Sequence, residues 1–199
     1  MMESNKKTGM QIARCPWVDL TKADYVAYHD REWGVPVYKD RTLFEFLVLE
    51  GAQAGLSWYT VLKKRENYRK LLADFEPVEI IQFSNKDLLN LQNNPKIIRN
   101  RLKIKSVVNN AQKFLEVQAE FDSFANYIWS FVNNEPIVNT WETPEDHKTT
   151  SAESDSLSKD MKKRGFSFVG STIIYAYMQA MGLVNDHTLK CFRRQELLR

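Results

Sequence analysis

Apolar residues recur along this chain mainly at the three- and four-residue spacing of amphipathic helices. In residues 40–55, Leu43, Phe44 and Leu47 form one apolar stripe, and Asp40 stands where a helix N-cap is expected. Strand-like alternation between turn signals is missing from the sequence. The pattern therefore predicts an all-α fold.

Further helices are predicted by the same spacing and by capping signals. Ser57 is the expected N-cap of the next helix, Pro77 opens a short one, and Ser84 and Asp87 have the spacing of a capping box. With these three included, the helices after residue 55 are expected, with approximate bounds, at residues 57–75, 77–81, 84–92, 97–117, 122–132, 156–165 and 170–182. Residues 133–155 are polar and are expected to form a long loop.

The two ends of the chain are polar and carry no export signal. Residues 1–11 lack an apolar segment and are expected to be a disordered tail, and residues 193–199 are expected to be a C-terminal tail. No run reaches the ~20 apolar residues that span a bilayer. We therefore expect one domain over residues 12–192, in a cytoplasmic protein that acts as a monomer.

Positive charge is concentrated in one part of the sequence. The net charge is +3, but residues 88–115 contain six Lys or Arg and no Asp or Glu, which leaves −3 for the rest. A local excess of this kind is typical of a surface that meets phosphates. Charge alone leaves a solvated helix face as the alternative.

Two cysteines and three histidines raise the question of a metal site. In VNDHTLKCF, His187 and Cys191 are four residues apart and share one face if that stretch is helical. CPWVDLTKADYVAYHDREWG supplies Cys15 and His29, whereas His147, in the polar loop, is the poorer candidate. Two cysteines and two histidines close a tetrahedral shell, which predicts a structural zinc between the N-terminal segment and a C-terminal helix. Unrelated histidines and buried thiols are the alternative.

A lone carboxylate stands in the apolar run FLVLEGAQAGLSWYTVL. Glu50 is the only acidic or basic residue among residues 46–62, and Trp58 and Tyr59 follow closely. Such a carboxylate lies either at a helix surface or in a pocket, where it accepts hydrogen bonds from a ligand. Because aromatic residues stand close to Glu50 in the sequence, a pocket remains one of the two interpretations.

The third motif is LLNLQNNPKIIRNRLKIKSVV. A short helix, a tight turn at Asn94-Pro95 and a basic helix have the shape of a helix-hairpin-helix, although its usual glycines are absent. Such a hairpin presents backbone N–H groups and basic side chains to a DNA phosphate without reading sequence. The predicted DNA-binding side chains are Lys96, Arg99, Arg101 and Lys103.

Together these motifs resemble the DNA-3-methyladenine glycosylase I family. The resemblance runs from about Cys15 to Cys191, and AYHDREWGVP followed by LEGAQAGLSW is its most specific part. It implies an all-α helix-hairpin-helix glycosylase with one structural zinc, whose ligand pattern falls on the four residues named above. It also implies hydrolysis of the N-glycosidic bond of 3-methyladenine in double-stranded alkylated DNA, with free 3-methyladenine as the product.

The resemblance also assigns a base pocket. Its residues fall on Tyr28, Trp33, Glu50 and Trp58, with Tyr25 and Trp17 nearby. Glu50 is the expected catalytic residue, since its charge would orient the base and stabilise a cationic transition state. Leu56, in the turn AGLSW, is the candidate wedge that fills the gap left by the extruded base.

Two other functions remain as alternatives. One is a non-catalytic, zinc-stabilised DNA-damage-binding module, which would keep the hairpin and the metal but release no base. The other is a zinc hydrolase, for which His29 and Glu32 offer a superficial likeness. The sequence has no HExxH motif, and four protein ligands would leave no open position on the metal.

Overall fold

A computed structural model describes residues 12–198, so the predicted disordered tail, residues 1–11, lies outside the described residues. The all-α prediction is confirmed for the described chain, apart from one pair of two-residue strands. The helices are α1 (Ala23–Arg31), α2 (Asp40–Gln53), α3 (Trp58–Leu62), α4 (Arg65–Leu71), α5 (Pro77–Ile80), α6 (Asn85–Asn93), α7 (Arg101–Phe121), α8 (Phe124–Ser130), α9 (Ala152–Lys163), α10 (Ser171–Ala180) and α11 (Phe192–Glu196). The strands β1 (Ile137–Val138) and β2 (Val184–Asn185) pair in parallel.

Helix α2 forms the centre of the core. All of residues 43–52 are buried, and the helix contacts α3, α7, α8 and α10. A helix that is surrounded on every side keeps even its polar positions away from water. Two carboxylates, Glu45 and Glu50, are therefore carried into the interior.

The predicted capping residues have different outcomes. The Ser57 cap and the Ser84–Asp87 capping box are confirmed, because each serine side chain accepts a backbone hydrogen bond from the first turn of its helix. The Asp40 prediction is wrong, since Lys39 is the N-cap of α2. The Asp40 carboxylate instead accepts hydrogen bonds from the backbone N–H groups of Phe124 and Ala125, at 2.8 and 2.9 Å, and so caps α8.

The stretch VNDHTLKCF is not helical, so the assumption that placed His187 and Cys191 on one helix face is wrong. It begins with β2, continues through a turn at residues 189–190 and reaches the N-cap of α11 at Cys191. The Cys191 N–H donates to the Thr188 carbonyl at 2.9 Å, which folds the chain back on itself. The segment predicted as a tail, residues 193–199, therefore contains most of a short helix.

The basic helix also begins later than its sequence pattern predicts. Residues 97–100 are not helical, and α7 starts after Asn100, whose side chain accepts hydrogen bonds from the Leu102 and Lys103 N–H groups. Ile97 is drawn into the core and is only 3% exposed. Among the described helices, none is both long and apolar enough to cross a membrane.

Gly182 marks a close crossing of two segments. Its φ is +71°, and a Cβ there would lie 2.3 Å from backbone atoms of Val35 and Pro36. Glycine alone fits this contact, and it also tolerates the left-handed backbone. The crossing holds the segment after α1 against the end of α10, which brings the N-terminal and C-terminal parts of the chain together.

Candidate active site and metal centre

Cys15, His29, His187 and Cys191 converge in one buried cluster, although they come from opposite ends of the chain. One ligand atom from each residue lies within 4.8 Å of all the others. Cys191 Sγ is 3.4 Å from His29 Nε2 and 3.4 Å from His187 Nδ1, and Cys15 Sγ is 3.4 Å from the same Nδ1. A tetrahedral ion with bonds of ~2.3 Å to sulfur and ~2.0–2.1 Å to nitrogen separates such ligands by about 3.5 Å. The cluster therefore has the dimensions and donors of a metal site.

The outer hydrogen bonds of the two histidines orient them for this role. The Trp33 carbonyl, 3.0 Å from His187 Nε2, can only accept, so this nitrogen carries the proton and Nδ1 is left with a free lone pair. His29 Nδ1 lies 2.7 Å from Asp30 Oδ1, which leaves His29 Nε2 for the cluster. Asp30 is held in turn by Arg14. Carbonyl and carboxylate partners of this kind fix the tautomers of metal-bound histidines.

The two thiols differ in their affinity for protons. A hydrogen bond from the Cys15 thiol holds the pKa of Cys191 well below its ordinary value, and the same interaction raises the pKa of Cys15. Both cysteines are free of disulfide bonds. A bound cation would favour the thiolate form of both cysteines, as in other thiolate metal sites.

Trp33 separates this cluster from a neighbouring cavity. Its carbonyl accepts from His187, its ring meets the His187 ring edge-on at 4.6 Å, and it also lines the cavity. Gly34 lets the backbone after Trp33 approach the His187 ring closely, since a Cβ at residue 34 would lie 3.0 Å from His187 Nε2. The metal-type cluster therefore supports the wall of the cavity from behind.

The cavity has a volume of about 190 Å³ and gathers every predicted base-pocket residue. Its lining comes from the N-terminal segment, α1 and the segment after it, α2, α3, the polar loop and α10. The lining residues are Trp17, Tyr25, Tyr28, Trp33, Glu50, Gln53, Trp58, His147, Ala176 and Gln179. The structure thus brings the predicted set together, and it adds residues that sequence reasoning missed. Its volume and its aromatic walls suit a small planar ring.

Glu50 lies inside this cavity and not at a helix surface. It is 4% exposed, and its Oε2 atom is buried without a hydrogen-bond partner. Burial alone raises the pKa of Glu50 to about 8. The carboxyl group is therefore largely neutral at pH 7 when nothing is bound, and a cation in the cavity would favour its ionised form.

The aromatic walls are arranged less openly than a simple sandwich requires. The Tyr28 and Trp58 ring centroids are 5.2 Å apart with their planes at 45°, so the two rings touch each other. A ring held between them would need about 7 Å, twice the carbon contact distance. A base in the cavity therefore stacks on one exposed face unless Trp58 moves.

His147 is the cavity residue that the sequence gave least reason to expect. It lies in the polar loop, outside the metal cluster, and its Nε2 atom is buried without a hydrogen-bond partner. Its ring contacts that of Trp141 at a centroid distance of 5.7 Å. Two aromatic rings in an otherwise polar loop are the signal that would have drawn attention to it.

The predicted DNA-binding side chains divide into two groups. Lys96, Arg99 and Arg101 are exposed on and beside the turn between α6 and α7. The Lys103 ammonium instead donates to the Ala52 and Ala54 carbonyls, at 2.8 and 2.6 Å, at the end of α2. Lys103 thus satisfies carbonyls that the helix end leaves without partners.

The turn after α2 presents the predicted wedge. Gly55 has a φ of +77°, and Leu56 follows it with its side chain 41% exposed. This turn borders a second cavity that shares Glu50, Gln53 and Ala176 with the first. An exposed leucine therefore stands beside the opening that leads to Glu50.

Fold and site together define a class of protein: a helical protein in which a buried Cys/His cluster supports an aromatic cavity around an unpartnered carboxylate. A family model described as methyladenine glycosylase matches residues 17–194. The chain therefore belongs to the methyladenine glycosylase family.

Individual relatives agree with this assignment. DNA-3-methyladenine glycosylase 1 of Escherichia coli (strain K12) is 48% identical over 180 residues, covering 90% of this chain and 96% of that protein. A crystal structure of 3-methyladenine DNA glycosylase I has a TM-score of 0.88 and 48% identity, covering 90% of this chain and 98% of the other. A variant of 3-methyladenine DNA glycosylase I in complex with 3-methyladenine has a TM-score of 0.85 and 36% identity, covering 87% and 93%.

Proposed function

We propose that this protein is a monofunctional DNA glycosylase that hydrolyses the N-glycosidic bond of 3-methyladenine in alkylated DNA. The family assignment and the glycosylase names of its relatives confirm the predicted enzyme class and do not favour the non-catalytic binding module. The observation that carries the proposal within this chain is Glu50, a buried carboxyl without a partner inside an aromatic cavity.

The substrate explains why one carboxyl group suffices. An adenine methylated at N3 and still joined to deoxyribose is cationic, and it leaves as a neutral molecule when the bond electrons move onto it. Water then supplies a hydroxyl group to C1′ of the sugar and a proton to the solvent. Since the leaving group needs no protonation, the protein must mainly extrude the nucleotide and stabilise positive charge.

Glu50 recognises the charge of the base. In the empty cavity its raised pKa keeps it largely protonated near pH 7. A cationic base placed against it favours the carboxylate, so binding is accompanied by release of a proton. The carboxylate accepts from the exocyclic amine and stabilises the charge that develops on the sugar. Neutral adenine offers no such charge, which favours the alkylated base.

The aromatic side chains bind the ring itself. Stacking on an aromatic face contributes ~1–3 kcal/mol per base, and a cationic ring gains further from the electron-rich faces. Tyr28 and Trp58 both line the cavity, and the base stacks on an exposed face of one of them, since their rings are only 5.2 Å apart. Trp33 supplies the wall shared with the Cys/His cluster. These residues orient the base beside Glu50.

Zinc is the ion that best fits the four-residue cluster. Two sulfur and two nitrogen donors at tetrahedral spacing match a structural zinc site, and Cys15, His29, His187 and Cys191 would hold it. With four protein ligands, no position is left for water, so the ion supports the fold and no reaction step passes through it. The lack of a free position on the ion also argues against a zinc hydrolase. Glu32, which gave that alternative its superficial likeness, instead accepts a hydrogen bond from Arg65 at 2.6 Å.

The exposed basic residues at the hairpin would contact duplex DNA. Lys96, Arg99 and Arg101 are exposed in the turn between α6 and α7 and at the start of α7. The first N–H groups of α7, at Leu102 and Lys103, already donate to the Asn100 side chain. Phosphate contacts are therefore expected from these side chains and from the turn before Asn100. We propose a monomer as the active form.

Release of 3-methyladenine from N-methylated duplex DNA tests the proposal. The wild-type protein should release the base, and Glu50→Gln, which keeps the shape but not the charge, should lower the single-turnover rate about 100- to 1,000-fold. Glu79→Gln makes the same chemical change at an exposed position and should leave the rate unchanged. Absence of base release from the folded wild-type protein would refute the function, and full activity of Glu50→Gln would refute the role of that carboxyl.

A further inference from the structure

We infer that His147 is a second polar contact to the base, and that its Nε2–H donates a hydrogen bond to a ring nitrogen of 3-methyladenine. The inference rests on the proposed function, since it takes the cavity around Glu50 to be the base pocket. It adds a specificity-determining residue from the polar loop, which contributes none of the predicted pocket residues.

The first observation is the distribution of unsatisfied polar atoms. In the part of the chain that the structure describes, five buried side-chain nitrogen or oxygen atoms have no partner. Three of them belong to residues that line the same cavity: Glu50 Oε2, Trp58 Nε1 and His147 Nε2. Buried polar groups normally find a partner, so three orphans at one cavity indicate a ligand that supplies the missing hydrogen bonds.

The second observation is that hydrogen bonds anchor the polar loop on the N-terminal side of His147. The Trp141 indole N–H donates to Asp186 Oδ1 at 2.7 Å, and the Trp141 carbonyl accepts from Leu189 N at 2.9 Å. Asp146 closes the following turn by accepting from Thr143 N at 2.8 Å. The His147 ring packs against the fixed Trp141 ring, so its position is set before any ligand arrives.

Asp186 connects this anchor to the rest of the cavity. Its carboxylate is fully buried and also accepts from Gln179, at 2.7 Å, and from Tyr175, at 2.8 Å. Gln179 lines the same cavity as His147. One buried carboxylate thus fixes both the α10 wall and the loop that covers it.

The chemistry of the base matches the three orphan atoms. Adenine carries a donor at its exocyclic amine, which suits Glu50, and acceptors at ring nitrogens N1 and N7, which suit N–H donors. Trp58 Nε1 is always a donor, and a neutral histidine donates from one nitrogen. The Nε2–H tautomer therefore completes the set.

The test measures binding of free 3-methyladenine to the full chain by calorimetry. His147→Ala should raise the dissociation constant about five- to tenfold, which corresponds to the loss of one hydrogen bond. His147→Gln, which keeps a donor, should recover part of this loss. Glu145→Ala, at an exposed position of the same loop, should bind as the wild type does.

Base analogues separate a hydrogen bond from simple packing. The 1-deaza and 7-deaza analogues of 3-methyladenine each lack one ring acceptor. If His147 donates to N7, the wild type and His147→Ala should bind the 7-deaza analogue equally and still differ in their affinity for the 1-deaza analogue. If it donates to N1, the two analogues should behave in the opposite way. A difference of the same size for both analogues would overturn the hydrogen bond.

A measurement on the unaltered protein makes the test independent of any variant. The chain has only three histidines, so nitrogen-detected NMR resolves His147 from the two in the Cys/His cluster. Adding 3-methyladenine should shift the His147 ring nitrogens toward the Nε2–H tautomer. No shift at saturation would overturn the inference, whereas failure of the wild type to bind the base or to release it from DNA would instead refute the proposed function.

Discussion

The Cys/His cluster and the aromatic cavity are neighbours that share Trp33, yet they are organised in opposite ways. In the cluster, both histidines have outer hydrogen-bond partners and the four ligand atoms face one another. In the cavity, Glu50, Trp58 and His147 each keep a buried polar atom without a partner. The donors of the cluster converge on one point that a metal ion would occupy, whereas the unpartnered atoms of the cavity would be satisfied by a ligand.

This difference separates stability from recognition. Saturated donors and fixed tautomers stabilise a fold and leave nothing for a substrate to bind. Unsatisfied groups cost stability in the empty protein, and that cost is recovered when a complementary ligand arrives. The predictions below test whether the two regions can be perturbed separately.

The largest expected effect is on the cluster. Cys191→Ser should reduce bound zinc from about one ion per chain to near zero and lower Tm by about 10 °C or more, because binding energy of a structural ion contributes to folding. Elemental analysis and calorimetry measure both. Lys190→Ala, an exposed neighbour, is the control. If the folded fraction of Cys191→Ser lost affinity for 3-methyladenine while its stability was unchanged, the separation of roles would be wrong.

The next effect concerns Glu50 and pH. Its pKa is raised from 4.5 to about 8 in the folded protein, so the fold favours the neutral carboxyl. The stabilisation that the neutral carboxyl contributes is fully present below the unfolded-state pKa, near 4.5. It is lost as the pH rises toward the folded-state pKa of about 8. Ionising Glu50 in the folded protein therefore costs on the order of 5 kcal/mol.

Glu50→Gln stays neutral at every pH. Its Tm relative to wild type should therefore increase between pH 5 and 8 and level off above that range. Glu79→Gln should show no such trend, since that residue is exposed. A Tm difference for Glu50→Gln that stays constant with pH would mean that Glu50 does not titrate abnormally.

Trp58 is expected to contribute a smaller, ligand-dependent effect. Trp58→Ala should weaken binding of free 3-methyladenine by ~1–3 kcal/mol through loss of a stacking face. Trp58→Phe keeps a face but lacks the indole N–H, so an intermediate loss is expected. Calorimetric titration distinguishes them, and equal affinities for all three proteins would remove Trp58 from the pocket.

The smallest effect distinguishes two basic residues on one helix. Arg101→Gln should lower the salt dependence of DNA binding by about 1 in log–log slope, as expected for one lost phosphate contact. Lys103→Gln should change that slope less, because its ammonium is bonded to the Ala52 and Ala54 carbonyls. Equal slope changes would show that Lys103 also meets a phosphate, as its sequence position predicted.

Local spacing determined much of this protein. Helix periodicity and the caps at Ser57 and Ser84 depend on residues within one turn, so the sequence alone was sufficient for them. The Cys/His quartet was also found from the sequence, because few residue types bind zinc and only two cysteines were available. The route to it was partly wrong, since the His187–Cys191 spacing belongs to a turn and not to a helix.

Tertiary packing decided the rest. Asp40 caps α8, which is distant in sequence, and Lys103 bonds to the end of α2. Glu50 could have faced water until α2 was enclosed by its neighbours, and burial is what raises its pKa. His147 reaches the cavity only because a distant carboxylate, Asp186, holds Trp141 beneath it. A sequence specifies the groups within one turn of each other, whereas burial and long-range partners depend on which segments pack together.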